Sequence, residues 1–218
     1  MPKHSACDSE GEAVPNRMLR LVVAALIVAL TGAGCAPSDA DPVYNPDTRE
    51  LERIDYDTNR DGSIEARLYF LAGRPTRLEV DADTDGHVDR WELYREDGGL
   101  ARVGTSTQGD GRADTWVIET GNTLRVEIST GRDGILDRTE IHENGVLQRA
   151  ELDTNHDGRI DQWQRFEGGQ LRELALDTTF LATRPDRRLI YGAGGTLVRV
   201  EADTEGNGRF VEVPDAGR

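Results

Sequence analysis

An Asp-Thr or Ser-Thr pair recurs along this chain, each time just after a short apolar run. The copies are Asp57-Thr58, Asp83-Thr84, Ser106-Thr107, Ser129-Thr130, Asp153-Thr154, Asp177-Thr178 and Asp203-Thr204. Successive threonines stand 26, 23, 23, 24, 24 and 26 residues apart. A period this short cannot bury a core by itself, so each unit must pack on its neighbours and the fold must be an array.

One unit shows what is repeated. Val88 to Tyr94 is rich in β-branched and aromatic residues and reads as a strand. Asp97-Gly98-Gly99 then permits positive φ and reads as a hairpin turn. Leu100-Ala101-Arg102-Val103 returns as the partner strand. Equivalent turns are Asn144-Gly145, Gly168-Gly169 and Gly194-Gly195. The expected fold is all-β: an antiparallel meander of seven β-hairpins, each about 24 residues long, forming an elongated, open, twisted sheet over residues 49–218.

Side chains along the strands fall into columns. Ile64, Val88, Ala113, Leu136 and Ile160 form the first. Arg67, Trp91, Trp116, Thr139 and Trp163 follow three residues on and face the other way. Phe70, Tyr94, Glu119, His142 and Phe166 return to the first face. Each face thus carries a sparse apolar stripe that stacks from unit to unit. Only 36% of residues are hydrophobic and 6% aromatic, which suits such stacking better than the thick core of a two-sheet sandwich.

The N-terminus reads as an address. Leu21 to Leu30 is an unbroken apolar run preceded by Arg17 and Arg20. It is too short to span a bilayer, which takes about 20 residues, and suits the apolar part of a secretory signal. Small residues Thr31 to Gly34 lead into Cys35. This resembles a bacterial lipoprotein signal, although Gly32 holds the place where that family usually has Leu. The resemblance implies residues 1–34 as signal peptide and Cys35 as the lipidated first residue of the mature chain. Residues 1–17 are polar, and Met18 is the expected natural start. Ala36 after the cysteine implies the outer membrane or cell surface by the same resemblance, with the periplasmic face as one arrangement. Residues 35–48, with Pro37, Pro42 and Pro46, read as a flexible tether.

The connections between hairpins are acidic. The fullest copy has Asp81, Asp83, Asp85, Asp89 and Glu92 at loop positions one, three, five, nine and twelve, with Gly86 at six. This resembles the calcium loop of EF-hand proteins. A hard cation takes six to eight oxygens, and a tight loop points alternate side chains inward to supply them. Position seven, His87, would offer its carbonyl rather than its imidazole. Asp57, Asn59, Asp61 and Glu65 form a second copy around Gly62, and Asp153, Asn155, Asp157 and Asp161 a third around Gly158. The loops from Ser106, Ser129 and Asp203 are weaker copies, and the one from Asp177 has lost the Asp-Gly pattern. No amphipathic helices flank any copy. Similar helix-free loops occur in thrombospondin type 3 and dockerin-like repeats. The Tyr/Trp strand and Gly turn resemble MORN-like repeats, and the whole resembles acidic Asp-Thr-Asp-Gly repeat lipoproteins of Gram-negative bacteria. Bound calcium is the expected cofactor, against the alternative of plain Asp-Gly turns with solvated carboxylates.

Charge and composition limit the function. Asp and Glu number 41 against 26 Lys and Arg, a net charge of −15, which excludes a phosphate-neutralising nucleic-acid binder. Two cysteines cannot build a disulfide framework or a cysteine zinc site. No serine or cysteine lies in a nucleophile motif, and the carboxylates recur at the repeat period, so no enzyme is expected. The chain reads as a structural or interaction protein of the cell envelope. It is held to the membrane by its lipid and offers a surface to an envelope protein or glycan. The alternative is a metal-independent MORN-like module that binds a protein or glycan.

Overall fold

The computed structural model describes residues 39–180 and 184–213. The signal segment, the start at Met18 and Cys35 lie outside the described residues. Fifteen strands form one sheet in plain chain order, every neighbour antiparallel. They are β1 (Ala40–Tyr44), β2 (Leu51–Tyr56), β3 (Ala66–Leu71), β4 (Arg74–Val80), β5 (Arg90–Tyr94), β6 (Leu100–Thr105), β7 (Thr115–Thr120), β8 (Thr123–Ile128), β9 (Arg138–Glu143), β10 (Val146–Leu152), β11 (Gln162–Glu167), β12 (Gln170–Leu176), β13 (Arg187–Tyr191), β14 (Leu197–Ala202) and β15 (Val211–Glu212). The sheet is open, with β1 and β15 at its two ends. Among the described residues there is no α-helix, only one 3-10 turn at Ala193–Gly195. The all-β hairpin meander is the observed architecture.

Seven hairpins pair β1 with β2 through to β13 with β14, and β15 follows. Glycine-bearing turns close hairpins on one sheet edge, and the acidic loops connect them on the other. Asn144 and Gly145 both have positive φ, 51° and 79°, the twist a two-residue hairpin needs. Ala72-Gly73 closes β3–β4 in the same way, with φ of 50° and 74°. An alanine there hides the turn from sequence reading.

Ala40–Tyr44, inside the stretch read as a tether, forms β1 and pairs with β2 from Ala40↔Tyr56 to Tyr44↔Leu51. The prolines misled. Pro42 is tolerated because β1 is an edge strand.

Strand register sorts the side chains into rows. One row crosses the sheet through Asp55, Arg67, Glu79, Trp91, Gly104, Trp116, Glu127, Thr139, Glu151, Trp163, Ala175, Arg188 and Glu201. The tryptophan column therefore exists, with residues of the return strands interleaved. The next row, on the opposite face, is mostly aliphatic: Ile54, Leu68, Leu78, Val103, Val117, Val126, Ala150, Leu174, Leu189 and Val200, broken by Glu92, Glu140 and Gln164. The return strands thus alternate charged and aliphatic residues cleanly, as in Arg77-Leu78-Glu79-Val80 and Arg149-Ala150-Glu151-Leu152. The column of Ile64, Val88, Ala113, Leu136 and Ile160 is not in the strands; each residue sits two places before a strand begins.

Burial is concentrated at an unexpected place. Among the described residues, only Leu78, Ala150, Ala175 and Ala202 are buried apolar side chains, while Asp81, Asp114, Ser129, Asp137, Asp161, Asp177 and Asp203 are buried polar ones. Buried acidic-loop residues outnumber buried apolar ones. The loop edge therefore takes the place of much of an ordinary core.

Candidate metal centre: the acidic loops along one sheet edge

The loops are tied to one another through the backbone. The first residue of each loop donates its N–H to the carbonyl of the acid at position nine of the loop before. These bonds are Asp81→Glu65 at 2.8 Å, Ser106→Asp89 at 2.7 Å, Ser129→Asp114 at 2.8 Å and Asp153→Asp137 at 2.9 Å. The series continues with Asp177→Asp161 and with Asp203→Asp186, the position-ten acid of a loop one residue longer, both 2.8 Å. Asp57 does the same to Asp39 at 3.1 Å, so Asp39 stands in as the position-nine acid ahead of the first loop. Loops one repeat apart are separated by two strand spacings, about 10 Å.

In six of the seven loops an acid is a latch, at position nine in five of them and at position ten, Asp186, in the loop from Asp177. Asp137 accepts the backbone N–H of Thr130 at 2.8 Å and its hydroxyl at 2.6 Å. Glu65 is held the same way by Thr58, Asp114 by Thr107, Asp161 by Thr154 and Asp186 by Thr178. Asp89 accepts the N–H of Ala82 at 2.7 Å. This bond shifts the register of the second unit. Asp81-Ala82, not Asp83-Thr84, is the equivalent of Asp57-Thr58, and the two spacings of 26 and 23 become 24 and 25.

The other acids shape the turn. At position one, Asp57, Asp81, Asp153 and Asp203 each accept the N–H of the position-six glycine at 2.7–3.0 Å. At position five, Asp61, Asp85, Asp110, Asp133 and Asp157 each accept the N–H two residues on, at 2.7–3.0 Å. Ser63, through its N–H and hydroxyl, with help from the Asn59 amide, holds the Asp61 carboxyl below its ordinary value. At position three, Asn59, Asp83 and Asn155 each accept the N–H of the position-five residue. Glycine at position six has φ of 93° at Gly62 and 91° at Gly86, which explains its recurrence. Position four is also left-handed in all seven loops, at Arg60, Thr84, Gly109, Arg132, His156, Phe180 and Gly206. Five of these are not glycine, so nothing in the residue types marks the position.

Two loops bring carboxylates together beyond what these internal bonds explain. Asp57, Asp61 and Glu65 each offer an oxygen within 4.8 Å of the others, and so do Asp81, Asp83 and Asp89. In these loops Asp57 Oδ1, Glu65 Oε1 and Asp81 Oδ1 are buried and have no hydrogen-bond partner. Buried carboxylate oxygens without a donor are costly, and a cation among them removes that cost. The residues therefore fit a hard, oxygen-loving ion. Asn59 adds an amide oxygen beside the first group, and Asp85 lies in the second loop without joining its convergent triad.

Two expectations change. Glu92 is not brought to the second loop. It lies on β5, and its oxygens take Arg90 and the Tyr94 hydroxyl, both at 2.6 Å. Burial and that carboxylate raise the Tyr94 phenol above its ordinary value. The chain leaves the loop as a strand, whereas a helix would be needed to carry position twelve back. In the third copy, Asp153, Asp157 and Asp161 have both carboxylate oxygens engaged by Asp157 N, Gly158 N, Arg159 N, the Asn155 amide and Thr154. That loop closes on itself. The His87 side chain points away from its own loop, and a methyl group on Gly111 of the next loop would lie 3.3 Å from its Nδ1.

The comparisons agree with the loop chemistry and stop there. The EF hand family model matches residues 150–162, one loop and the ends of β10 and β11. No curated protein matches the chain. Among solved structures, a match titled "Crystal Structure of TarM" covers 58% of this chain and 19% of that chain at 6% identity. Its TM-score of 0.27 carries no argument about fold or function. The loops are EF-hand-like, and the acidic groups are suggestive of calcium.

Proposed function

We propose that this is an exported, lipid-anchored repeat protein whose edge loops bind calcium and so stiffen a surface displayed at the cell envelope. One ion is held by Asp57, Asn59, Asp61 and Glu65 with the Ser63 carbonyl. A second is held by Asp81, Asp83, Asp85 and Asp89 with the His87 carbonyl. The observation that carries this reading is the trio of buried, partnerless oxygens on Asp57, Glu65 and Asp81. Lipidation at Cys35 places the sheet at the outer membrane or cell surface, where it acts by binding rather than by catalysis. Affinity belongs in the range of about 10⁻⁴–10⁻³ M typical of extracellular calcium modules.

A metal-independent role is favoured for the loops at 106–114 and 129–137. In both, a serine hydroxyl at position one donates to the position-five carboxylate. Ser129 bonds Asp133 at 3.0 Å, and Ser106 bonds Asp110 at 3.3 Å, where the first two loops have acids.

Two experiments test the proposal. Thermal melting in EDTA and in 10 mM calcium should show a shift of about 3–10 °C for each filled site. No shift sinks the calcium reading. Radiolabelled palmitate should be incorporated by the wild type and not by Cys35→Ser, and labelling of neither sinks the anchor.

A further inference from the structure

On the sheet face that carries the tryptophans, one Arg-x-acid motif is left open. On four return strands, the Arg-x-acid motif of this face closes into an ion pair: Arg53–Asp55, Arg77–Glu79, Arg125–Glu127 and Arg199–Glu201, at 2.7–3.1 Å. On β10 the same motif, Arg149-x-Glu151, stays open, and among the described residues neither side chain finds a charged partner. Glu151 is cross-strand neighbour to Trp163, whose other neighbour is Ala175. Ala175 is 6% exposed and occupies a place where most return strands carry an acid. The result is a hollow of about 530 Å³ around Trp163, Ala175, Arg149, Glu151 and Arg165.

The other tryptophans are already used. Trp91 and Trp116 lie against each other across Gly104, ring centres 6.3 Å apart and tilted by 39°, and the Arg102 guanidinium lies 4.2 Å over Trp116. A methyl group on Gly104 would come within 2.8 Å of the Trp116 ring, so that hollow is filled by the indole. Glu127, Thr139 and Glu151 separate this pair from Trp163. No ring contact or cation–π partner is recorded for Trp163 among the described residues.

We infer that the hollow at Trp163 is a binding site for a neutral saccharide. A sugar ring has an apolar C–H face, which suits an indole platform, and a rim of hydroxyls that both donate and accept. Glu151 accepts from such a hydroxyl and Arg149 donates to its neighbour, each with a charge-assisted bond. The two sit on either side of the ring plane's edge because they belong to one strand, two residues apart. Arg165, held by Glu167 at 2.6 Å and Glu173 at 3.4 Å, forms a fixed wall. Mixed charge at the rim disfavours a strongly ionic ligand of either sign. The volume lies within the 300–1,000 Å³ usual for small-ligand sites, with room for a short oligosaccharide. The site is separate from the acidic loops and does not depend on their calcium.

The test is a titration of the full chain, in EDTA and again in calcium, with maltotetraose, cellotetraose and chitotetraose, read by tryptophan fluorescence and calorimetry. At least one should bind saturably in both conditions. Trp163→Ala should abolish binding, and Arg149→Met and Glu151→Gln should each weaken it at least about tenfold, the loss of one charge-assisted bond. Arg149 and Glu151 make no internal ion pair, so those two variants should melt with the wild type and separate ligand loss from misfolding. Failure of all three sugars overturns the inference, as does binding unchanged in Arg149→Met and Glu151→Gln. Binding of a peptide library through Trp163 in place of sugars would overturn it in favour of a protein-docking site.

Discussion

Replacing Thr130 by valine removes one hydroxyl from a side chain of almost the same shape. That hydroxyl donates to Asp137 Oδ2 at 2.6 Å, and Asp137 is only 4% exposed. The Thr130 N–H bond to Oδ1 at 2.8 Å survives the substitution. The variant therefore isolates one charge-assisted bond to a buried carboxylate. Hydrogen bonds to charged groups contribute about 1.5–3 kcal/mol, and the buried oxygen left behind keeps only the His156 Nδ1 at 3.5 Å. For a domain of this size that lowers the melting temperature by about 3–12 °C. The assay is a circular-dichroism melt beside Thr120→Val, an exposed threonine on the opposite sheet edge, which should change stability by less than about 0.5 kcal/mol. Equal melting of Thr130→Val and Thr120→Val would show that the Thr130 hydroxyl does not latch the loop.

Three other outcomes follow from the same geometry. Ala82→Thr supplies the hydroxyl that the second loop lacks beside Asp89, and should stabilise the protein by about 1 kcal/mol in a denaturant titration. Gly104→Ala drives a methyl group into Trp116, 2.8 Å away, and should cost about 1–3 kcal/mol together with loss of the Trp91–Trp116 signal in near-ultraviolet circular dichroism. Asp61, Asp133 and Asp203 are held below the ordinary value of 3.8, chiefly by backbone N–H groups of Ser63, Ile135 and Gly208. A depressed carboxyl stabilises the folded state above its unfolded value. Melting temperature should therefore be flat above about pH 5 and fall as pH drops through and below 3.8, where a rise would contradict the assignment.

The repeat period, the hairpins and the inward acids were legible because glycine turns and period-two strands leave marks in residue type. The latch was half visible. Threonine at position two and an acid seven residues later recur in four loops, and eight residues later in a fifth, yet only the fold shows that one caps the other. The second unit concealed it further, since Thr84 imitates the anchor while Ala82 holds the true place. Position four left no trace, because its left-handed backbone is imposed by the loop on residues as different as Arg60 and Phe180. Glu92 was misjudged for a physical reason: in a strand, position twelve faces across the sheet rather than back into the loop. The return strands alternate charged and aliphatic residues cleanly, whereas the outgoing strands, as in Trp91-Glu92-Leu93-Tyr94, do not. Burial of acids rather than aliphatics could not be read at all, since a run of Asp and Gly looks the same solvated or stacked.

The central claim is that two adjacent loops hold calcium through oxygens the protein itself leaves unsatisfied. Calorimetric titration of EDTA-treated full-length chain with calcium tests it most directly, in the wild type and in Asp81→Asn. The wild type should bind two ions at the two convergent groups, and Asp81→Asn should lose one of them while keeping the site at Asp57, Asp61 and Glu65. No heat of binding up to 10 mM calcium, or two ions still bound by Asp81→Asn, would contradict the account.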